Sequence, residues 1–182
     1  MNNLYIDVVG LIFKYLSTKD LILASRVSKK WHKIFKHNLW RYRIDLSPYN
    51  NKITDEVLEQ WKGIKSINLT GCYKITDAGL KHLEGCRFII LALCHQITDH
   101  SLKHFIGVEG ICLGLCKKIT DAGLIHLKGV RKINLTNCNK ITDAGLVHLR
   151  GVHTIILDHC YKITDVGLKL LKDANPNVKI YQ

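Results

Sequence analysis

The chain has 182 residues, 47% of them hydrophobic, and its 27 Lys and Arg outnumber 15 Asp and Glu to give a net charge of +12. A chain of this length can bury a full core. No stretch approaches the ~20 apolar residues of a membrane-spanning helix, and the N-terminus lacks the basic start of a secretory signal. We therefore expect a cytoplasmic or nuclear protein without membrane contact. The positive charge favours an acidic partner surface, with nucleic acid as the competing interpretation.

The charge is concentrated near the N-terminus. Residues 1–44 carry nine basic and two acidic groups, a net charge of +7, whereas residues 45–182 carry 18 basic and 13 acidic groups, a net charge of +5. A merely solvated basic face is the ordinary explanation for such a segment. An acidic partner is the functional alternative.

The first forty residues predict three short helices. An apolar-rich helix is expected over 4–16. Ser17 signals the start of a second helix over 21–27, and Ser28 can cap a third over 29–35. A module of this size is too small to be stable alone, so it must dock on the rest of the chain or on another protein.

This segment, residues 1–43, resembles an F-box domain. The resemblance is carried, in order and spacing, by Leu4, Asp7, Val8, Ile12, Phe13, Tyr15, Leu16, Asp20, Leu21, Val27, Ser28, Lys29, Lys30, Trp31, Leu39 and Trp40. Two residues depart from the family pattern: Tyr5 stands where Pro is usual, and Ser28 where Cys is frequent. Because Pro fixes the start of the first helix, Tyr5 could weaken the contact with a partner.

The resemblance implies that the segment binds a Skp-type adaptor, which in turn joins a cullin. The family's contact positions fall on apolar residues that could equally form the core of the segment itself, and the sequence leaves that division open. These candidates are Leu4, Val8, Ile12, Leu16, Leu21, Val27 and Trp31.

The rest of the chain is built from repeats. The triplet Ile-Thr-Asp recurs every 22 residues, beginning at positions 53, 75, 97, 119, 141 and 163. Apolar residues three apart, such as Leu80 and Leu83, then predict a helix. Thr76 and Asp77 and their equivalents are expected to cap its N-terminus, and a glycine such as Gly85 to end it.

Each helix is followed by a short stretch of alternating apolar residues, which predicts a strand. One strand and one short helix cannot bury their own apolar sides, but stacked copies can. Helices pack ~8–10 Å apart and strands only ~4.8 Å, so the stack should curve with its strands on the concave side. The predicted fold is therefore α/β: a solenoid with a parallel ladder inside and short helices outside, preceded by the small helical segment.

The repeats resemble the cysteine-containing class of leucine-rich repeats, as the segments 133–138 and 141–146 illustrate. That class commonly has longer repeats, so the helices here are expected to be short or partly 3₁₀. The leucine-rich-repeat domain is expected over 44–182, with one additional strand at 44–46.

Rows of cysteine and histidine follow from the repeat. Parallel cysteine side chains ~4.8 Å apart suit neither a disulfide nor a zinc site of four convergent ligands, so buried free thiols are predicted. The row is Cys72, Cys94, Cys116, Cys138 and Cys160, with Cys86 and Cys112 elsewhere in the repeat.

Histidines on the convex side are expected to be exposed and too far apart to share a metal ion. They are His82, His104, His126 and His148.

The chain has no nucleophile–base pair, Gly-rich phosphate loop or paired-carboxylate spacing, so we expect no enzyme, cofactor or metal site. The two resemblances together imply a substrate-recognition adaptor of an SCF-type ubiquitin ligase. A protein-interaction scaffold outside any ligase is the alternative, and a nucleic-acid binder is a weaker third because stacking aromatics are not interleaved with the basic residues.

A target protein should bind at the outward-facing strand positions. The predicted residues are Asn68, Ile90, Cys112, Asn134 and Ile156, with Thr70, Ala92, Gly114, Thr136 and Asp158 two residues later. Ile90, Cys112, Leu93 and Leu115 predict an apolar patch in the middle, since exposed apolar clusters often mark binding sites. Its predicted rim is Tyr73, His95, Lys117 and Tyr161. Alternatively, Leu93 and Leu115 tuck beneath the loops.

Overall fold

The computed structural model describes residue 12, residues 16–39 and residues 42–182. The expected helix over 4–16 lies largely outside these residues. The next two helices are present, as α1 (Thr18–Ser25) and α2 (Lys29–His37). Helix α2 begins at Lys29 as predicted, whereas α1 begins at Thr18, three residues before the predicted start, and ends at Ser25. The hydroxyl oxygens of Ser17 and Ser28 accept hydrogen bonds from backbone N–H groups of the first turn at 3.2 and 3.1 Å.

Within the described residues, the repeats form one parallel sheet of seven strands in chain order. The strands are β1 (Arg43–Asp45), β2 (Ser66–Asn68), β3 (Phe88–Ile90), β4 (Gly110–Cys112), β5 (Lys132–Asn134), β6 (Thr154–Ile156) and β7 (Lys179–Tyr181). The helices between them are α3 (Asp55–Glu59), α4 (Asp77–Leu80), α5 (Asp99–Leu102), α6 (Asp121–Leu124), α7 (Asp143–Leu146) and α8 (Asp165–Ala174). Single 3₁₀ turns continue α4, α5 and α6, as expected for short repeats.

The two ends of the sheet differ from the sequence expectation. Strand β1 begins at Arg43, one residue before the expected strand. Strand β7 was not predicted at all: it pairs with β6 through Thr154 and Lys179, which are 25 residues apart rather than 22. The ten-residue helix α8 takes up the additional chain length. A search for a fixed period therefore stops one strand too early.

One apolar core runs through the repeats and into the preceding helical segment. At the junction, the Phe35 ring stacks on Tyr42 with centroids 5.7 Å apart and meets Trp61 edge-on at 6.0 Å. The backbone N–H of Asp45 donates a 3.0 Å hydrogen bond to the Thr18 hydroxyl, linking β1 to α1. The helical segment thus docks directly on the first strand of the solenoid.

An aspartate–threonine pair joins each repeat to the next. The predicted capping by threonine is confirmed: the Thr76 hydroxyl accepts a hydrogen bond from the Ala78 N–H at 3.2 Å. The aspartate does something else, because the Asp77 carboxylate accepts hydrogen bonds from both the N–H (2.8 Å) and the hydroxyl (2.5 Å) of Thr98 in the following repeat. The other pairs are Asp55–Thr76, Asp99–Thr120, Asp121–Thr142 and Asp143–Thr164.

The aspartate–threonine pairs explain why the third residue of α4, α6, α7 and α8 is glycine. A Cβ at Gly145 would collide with the Asp121 carboxylate of the preceding repeat. Gly79, Gly123 and Gly167 are in the same situation. Repeat three has Ser101 at this position, fully buried, with its hydroxyl donating to the Thr98 carbonyl at 2.8 Å.

The cysteine row is buried and its thiols are free, as predicted. The structure adds a role: the Cys116 thiol donates to the Leu91 carbonyl at 3.1 Å, and the Cys138 thiol to the Leu113 carbonyl at 3.2 Å. Cys94 and Cys160 make the same contact with the repeat before them. Each of these carbonyl groups also accepts the backbone N–H of the cysteine in its own repeat, so the thiol from the next repeat supplies a second hydrogen bond.

We predict that Asp121→Ala lowers the free energy of unfolding by about 2 kcal/mol, because two hydrogen bonds to a charged acceptor are lost and the Thr142 donors are left without it. Urea unfolding followed by circular dichroism measures the change. The control is Asp173→Ala, an exposed residue of α8, which should change the free energy of unfolding by less than about 0.5 kcal/mol. Equal losses in the two variants would contradict a structural role for the aspartate–threonine pairs.

Alkylation should distinguish the cysteines. Burial raises the pKa of Cys94 and of Cys138 to about 12, and that of Cys86 to about 11, so little thiolate is present near neutral pH. Cys112 is the one cysteine of the seven that is only partly buried. We expect iodoacetamide to modify Cys112 first in the folded chain and all seven cysteines in urea, as read by peptide mass spectrometry. Modification of Cys116 as fast as Cys112 in the folded chain would contradict the burial.

Candidate protein-binding surfaces

The outward-facing side of the sheet, called the strand face here, lines a groove of about 600 Å³. The first and third residues of β1 to β6 line it, on either side of the buried central isoleucine. The prediction included the third residues of β2 to β6 and the residues two positions later, but none of the first residues. The outward-facing lining residues outside the prediction are Arg43, Asp45, Ser66, Phe88, Gly110, Lys132 and Thr154. The alternation of strand side chains could have found them, because residues on both sides of a buried position face outward.

The predicted target-binding residues fall into two columns. The first column lines the groove and consists of Asn68, Ile90, Cys112, Asn134 and Ile156. The second column lies beyond the groove lining and consists of Thr70, Ala92, Gly114, Thr136 and Asp158. Gly114 is buried and the other four are half-buried.

Polar pairs in the outer repeats satisfy one another. The Asn68 side-chain oxygen accepts hydrogen bonds from the N–H (3.0 Å) and hydroxyl (2.7 Å) of Thr70. The Asn134 side-chain oxygen likewise accepts one from the Thr136 N–H at 2.8 Å. The two middle repeats have Ile90 and Cys112 at this position instead, so the middle of the strand face offers apolar surface.

The apolar surface in the middle of the strand face is larger than predicted because Phe88 belongs to it. A Cβ at Gly110 would come within 2.9 Å of the Phe88 ring, so glycine at this position lets the ring lie across the neighbouring strand. Phe88 and Ile90 are exposed, the latter by 40%. We call the surface formed by Phe88, Ile90, Leu93, Cys112 and Leu115 the central patch.

Leu93 and Leu115 have an unusual backbone. Both have φ of 63°, in the left-handed region that disfavours residues with a bulky side chain by on the order of 1 kcal/mol each. The same repeat position is occupied elsewhere by Gly71, Asn137 and His159. Leu93 is 38% exposed and Leu115 is half-buried. Neither side chain is therefore enclosed beneath the loops.

A basic row borders the strand face at the ends of the strands. Two residues precede the isoleucine of each Ile-Thr-Asp triplet, and all ten of those from the second to the sixth repeat are exposed. Five are lysines and none is acidic. This row, called the loop ridge here, consists of Tyr73, Lys74, His95, Gln96, Lys117, Lys118, Asn139, Lys140, Tyr161 and Lys162. All four residues of the predicted rim belong to it.

The helical segment presents a second apolar surface. Leu23 is 52% exposed and Val27 is 67% exposed, and Ile12 is also exposed. Leu16 and Trp31 are half-buried. Of the remaining predicted adaptor contacts, Leu4 and Val8 lie outside the described residues.

Leu21 is buried in the core, which is one of the two roles that the sequence left open for the predicted contact residues. Leu23 was not predicted as a contact. Its four-residue separation from Val27 within the predicted helix over 21–27 was the available signal, since residues spaced in this way share one side of a helix, although α1 ends at Ser25.

The convex side offers no metal site among the described residues, where no group of three His, Cys, Asp or Glu side chains is placed to hold an ion. The histidines His82, His104, His126 and His148 are half-buried rather than exposed as predicted. Burial, followed by the charge of Lys103, lowers the pKa of His104.

No helix in the described part of the chain is long and apolar enough to cross a membrane.

Comparison with known families finds two matches. A family described as F-box-like matches residues 6–44, and a family described as Leucine Rich repeat matches residues 130–149. None of the curated protein sequences matches the chain.

Among solved structures, a chain from the crystal structure of the Rad7 and Elc1 complex in yeast is similar, with 13% sequence identity and a TM-score of 0.51. The match covers 86% of the present chain, which spans 58% of that chain's length. A chain from the Toll–Spatzle complex of Drosophila has 16% identity and a TM-score of 0.46, covering 70% of the present chain and 21% of that one. At these identities the likeness concerns the fold alone.

The chain therefore combines an F-box-like segment at its N-terminus with a leucine-rich repeat, within a parallel solenoid of seven strands in the described residues.

Proposed function

We propose that the chain is a substrate-recognition subunit of an SCF-type ubiquitin ligase. The helical segment, residues 1–43, binds a Skp-type adaptor that joins a cullin, and the repeat domain, residues 44–182, binds the target protein. The observation that carries this proposal is the combination of an F-box-like match with exposed Leu23 and Val27 on a segment docked against the first strand.

The way the two parts are joined supports the proposal. Phe35, Tyr42 and Trp61 pack together at the junction, and the Thr18–Asp45 hydrogen bond ties α1 to β1. A rigid junction fixes the position of a bound target relative to a bound adaptor. Holding two reactants in a defined geometry replaces an unfavourable encounter, which is what a non-catalytic ligase subunit contributes to ubiquitin transfer.

Charge supports the adaptor contact as well. Residues 1–44 carry a net charge of +7. An adaptor with an acidic surface would associate faster with this segment than with a neutral one, and the acceleration would fall as salt is added. The exposed leucine and valine then supply the apolar contact that holds the complex together.

The strand face supports target binding. It lines the groove, and its apolar middle lies between the locally paired Asn and Thr residues of the repeats of β2 and β5. Exposed apolar surface of this kind, surrounded by polar residues, is typical of protein–protein contacts. Curved solenoids use such extended surfaces for binding.

The adaptor contact is tested with the double variant Leu23→Asp/Val27→Asp. Because two charges enter an apolar interface, we expect recovery of the Skp-type adaptor and cullin from cell lysate to fall by at least about tenfold. The matched control is Ile106→Asp, which alters an exposed isoleucine of the repeat domain. Unchanged adaptor recovery by the double variant would refute the contact, and adaptor recovered by the unaltered chain without cullin would favour a scaffold outside any ligase.

Target capture is tested with Ile90→Asp/Leu115→Asp. Asp is tolerated better than most residues in the left-handed conformation of Leu115, so the fold should be retained. We expect proteins captured by the unaltered chain, identified by crosslinking and mass spectrometry, to be lost while adaptor recovery stays the same. Val147→Asp, at an exposed valine following α7, is the control. Undiminished capture by the double variant would place the target elsewhere.

A further inference from the structure

Two leucines beside the groove have a left-handed backbone conformation, which other repeats place at residues that adopt it more easily. Leu93 and Leu115 have φ of 63°, whereas Gly71, Asn137 and His159 occupy this position elsewhere. Because Gly and Asn adopt the left-handed region with little strain, the fold itself does not require leucine here. Strain of this kind is concentrated at functional sites. The strained backbone therefore points to a use for the two side chains.

The two leucines lie side by side. The Leu93 N–H donates to the Gly114 carbonyl at 2.9 Å, and the Leu115 N–H donates to the Thr136 carbonyl at 2.8 Å, so consecutive repeats hold them in register. Ile90 and Cys112 stand in the preceding column of the same two repeats. The result is a continuous apolar surface on a rigid support, the arrangement that anchors a partner's large apolar side chain.

Positive charge surrounds this surface. Five lysines lie on the loop ridge, and none is within 4.0 Å of a carboxylate in the described ranges. In the groove lining, Lys132 lies beside Gly110 and contributes one more positive charge, whereas Arg43 lies on β1 with Asp45. Glu109 is already paired with Arg87.

The other carboxylates near the strand face lie away from the central patch. Asp45 lines the groove at its first strand, and Asp158 follows β6. A ligand at the centre of the strand face therefore meets apolar surface below it and a net positive charge beside it.

We infer that the central patch and the loop ridge together bind an acidic segment of a partner protein. A large apolar side chain of the segment contacts Leu93 and Leu115, and its carboxylates face Lys117, Lys118 and Lys140. The inference rests on the proposed function, because the segment would belong to the target. A nucleic acid would satisfy the lysines but would find aliphatic side chains where its bases need aromatic stacking partners.

Selection of random peptides displayed on phage against the full chain tests this chemistry without a known target. We expect the selected peptides to combine acidic residues with a large apolar residue. Their affinity, measured by fluorescence anisotropy with synthetic copies, should fall as salt is raised from about 50 to 200 mM. Selected peptides without acidic residues, or no selection at all, would overturn the inference.

Two matched variants locate the contact. Lys118→Glu/Lys140→Glu on the loop ridge should weaken peptide binding at least about tenfold, because attraction becomes repulsion. Lys81→Glu/Lys128→Glu changes the net charge by the same amount on the helical side and should leave binding within about twofold. Equal losses in both variants would show a non-specific charge effect and contradict the site.

The apolar contact is tested with Leu93→Asn/Leu115→Asn. Asn fits the left-handed backbone, so relief of strain offsets lost contacts and Tm should stay within about 4 °C. Peptide binding should fall at least about tenfold. Unchanged peptide binding, or binding of a single-stranded oligonucleotide in place of peptide, would overturn the inference.

Adaptor recovery separates this inference from the proposed function. Peptide binding needs no adaptor, so a chain that selects acidic, apolar peptides yet recovers no Skp-type adaptor contradicts the ligase proposal alone. A chain that recovers adaptor and cullin yet selects no such peptides contradicts the acidic-segment inference alone.

Discussion

The arrangement of the repeats depends on a hydrogen-bonded carboxylate that recurs at each step from Asp55–Thr76 to Asp143–Thr164. Each carboxylate accepts from both the backbone and the hydroxyl of the next repeat's threonine, so it fixes the distance and the rotation between two repeats together. These bonds lower the pKa of Asp143, hydroxyl first. The stability they supply is therefore present above the unfolded-state pKa of the carboxyl and is lost as the pH falls through the folded-state pKa.

The same regularity decided how much could be predicted from sequence. Strands, helices and the buried cysteine row follow from local periodicity, because each depends on residues close in the chain. The linking role of Asp77 does not, because its partner Thr98 lies 21 residues away and becomes visible only when repeats are stacked. Strand β7 was missed because its spacing breaks the period.

The binding surfaces were predictable only in part. The column containing Ile90 follows from the alternation of strand side chains, and the same alternation extends to Phe88, which the prediction did not include. In the helical segment, an apolar residue can be core or contact, and sequence does not separate the two. Burial does: Leu21 belongs to the core, whereas Leu23 faces outward. The left-handed backbone of Leu93 and Leu115 was likewise not evident, since leucine is a poor signal for positive φ.

The position of the central patch within the stack has a kinetic consequence. Solenoid repeats contact only their neighbours, so such proteins lose structure from their ends inward. At the C-terminal end, Val178 and Ile180 are only half-buried, whereas Ile89 and Ile111 in the middle are almost fully enclosed. Fraying of the last strand would leave β3 and β4 intact. Amide hydrogen exchange should therefore be slowest in β3 and β4, which support the central patch. The patch then stays intact during local unfolding that begins at the ends of the solenoid.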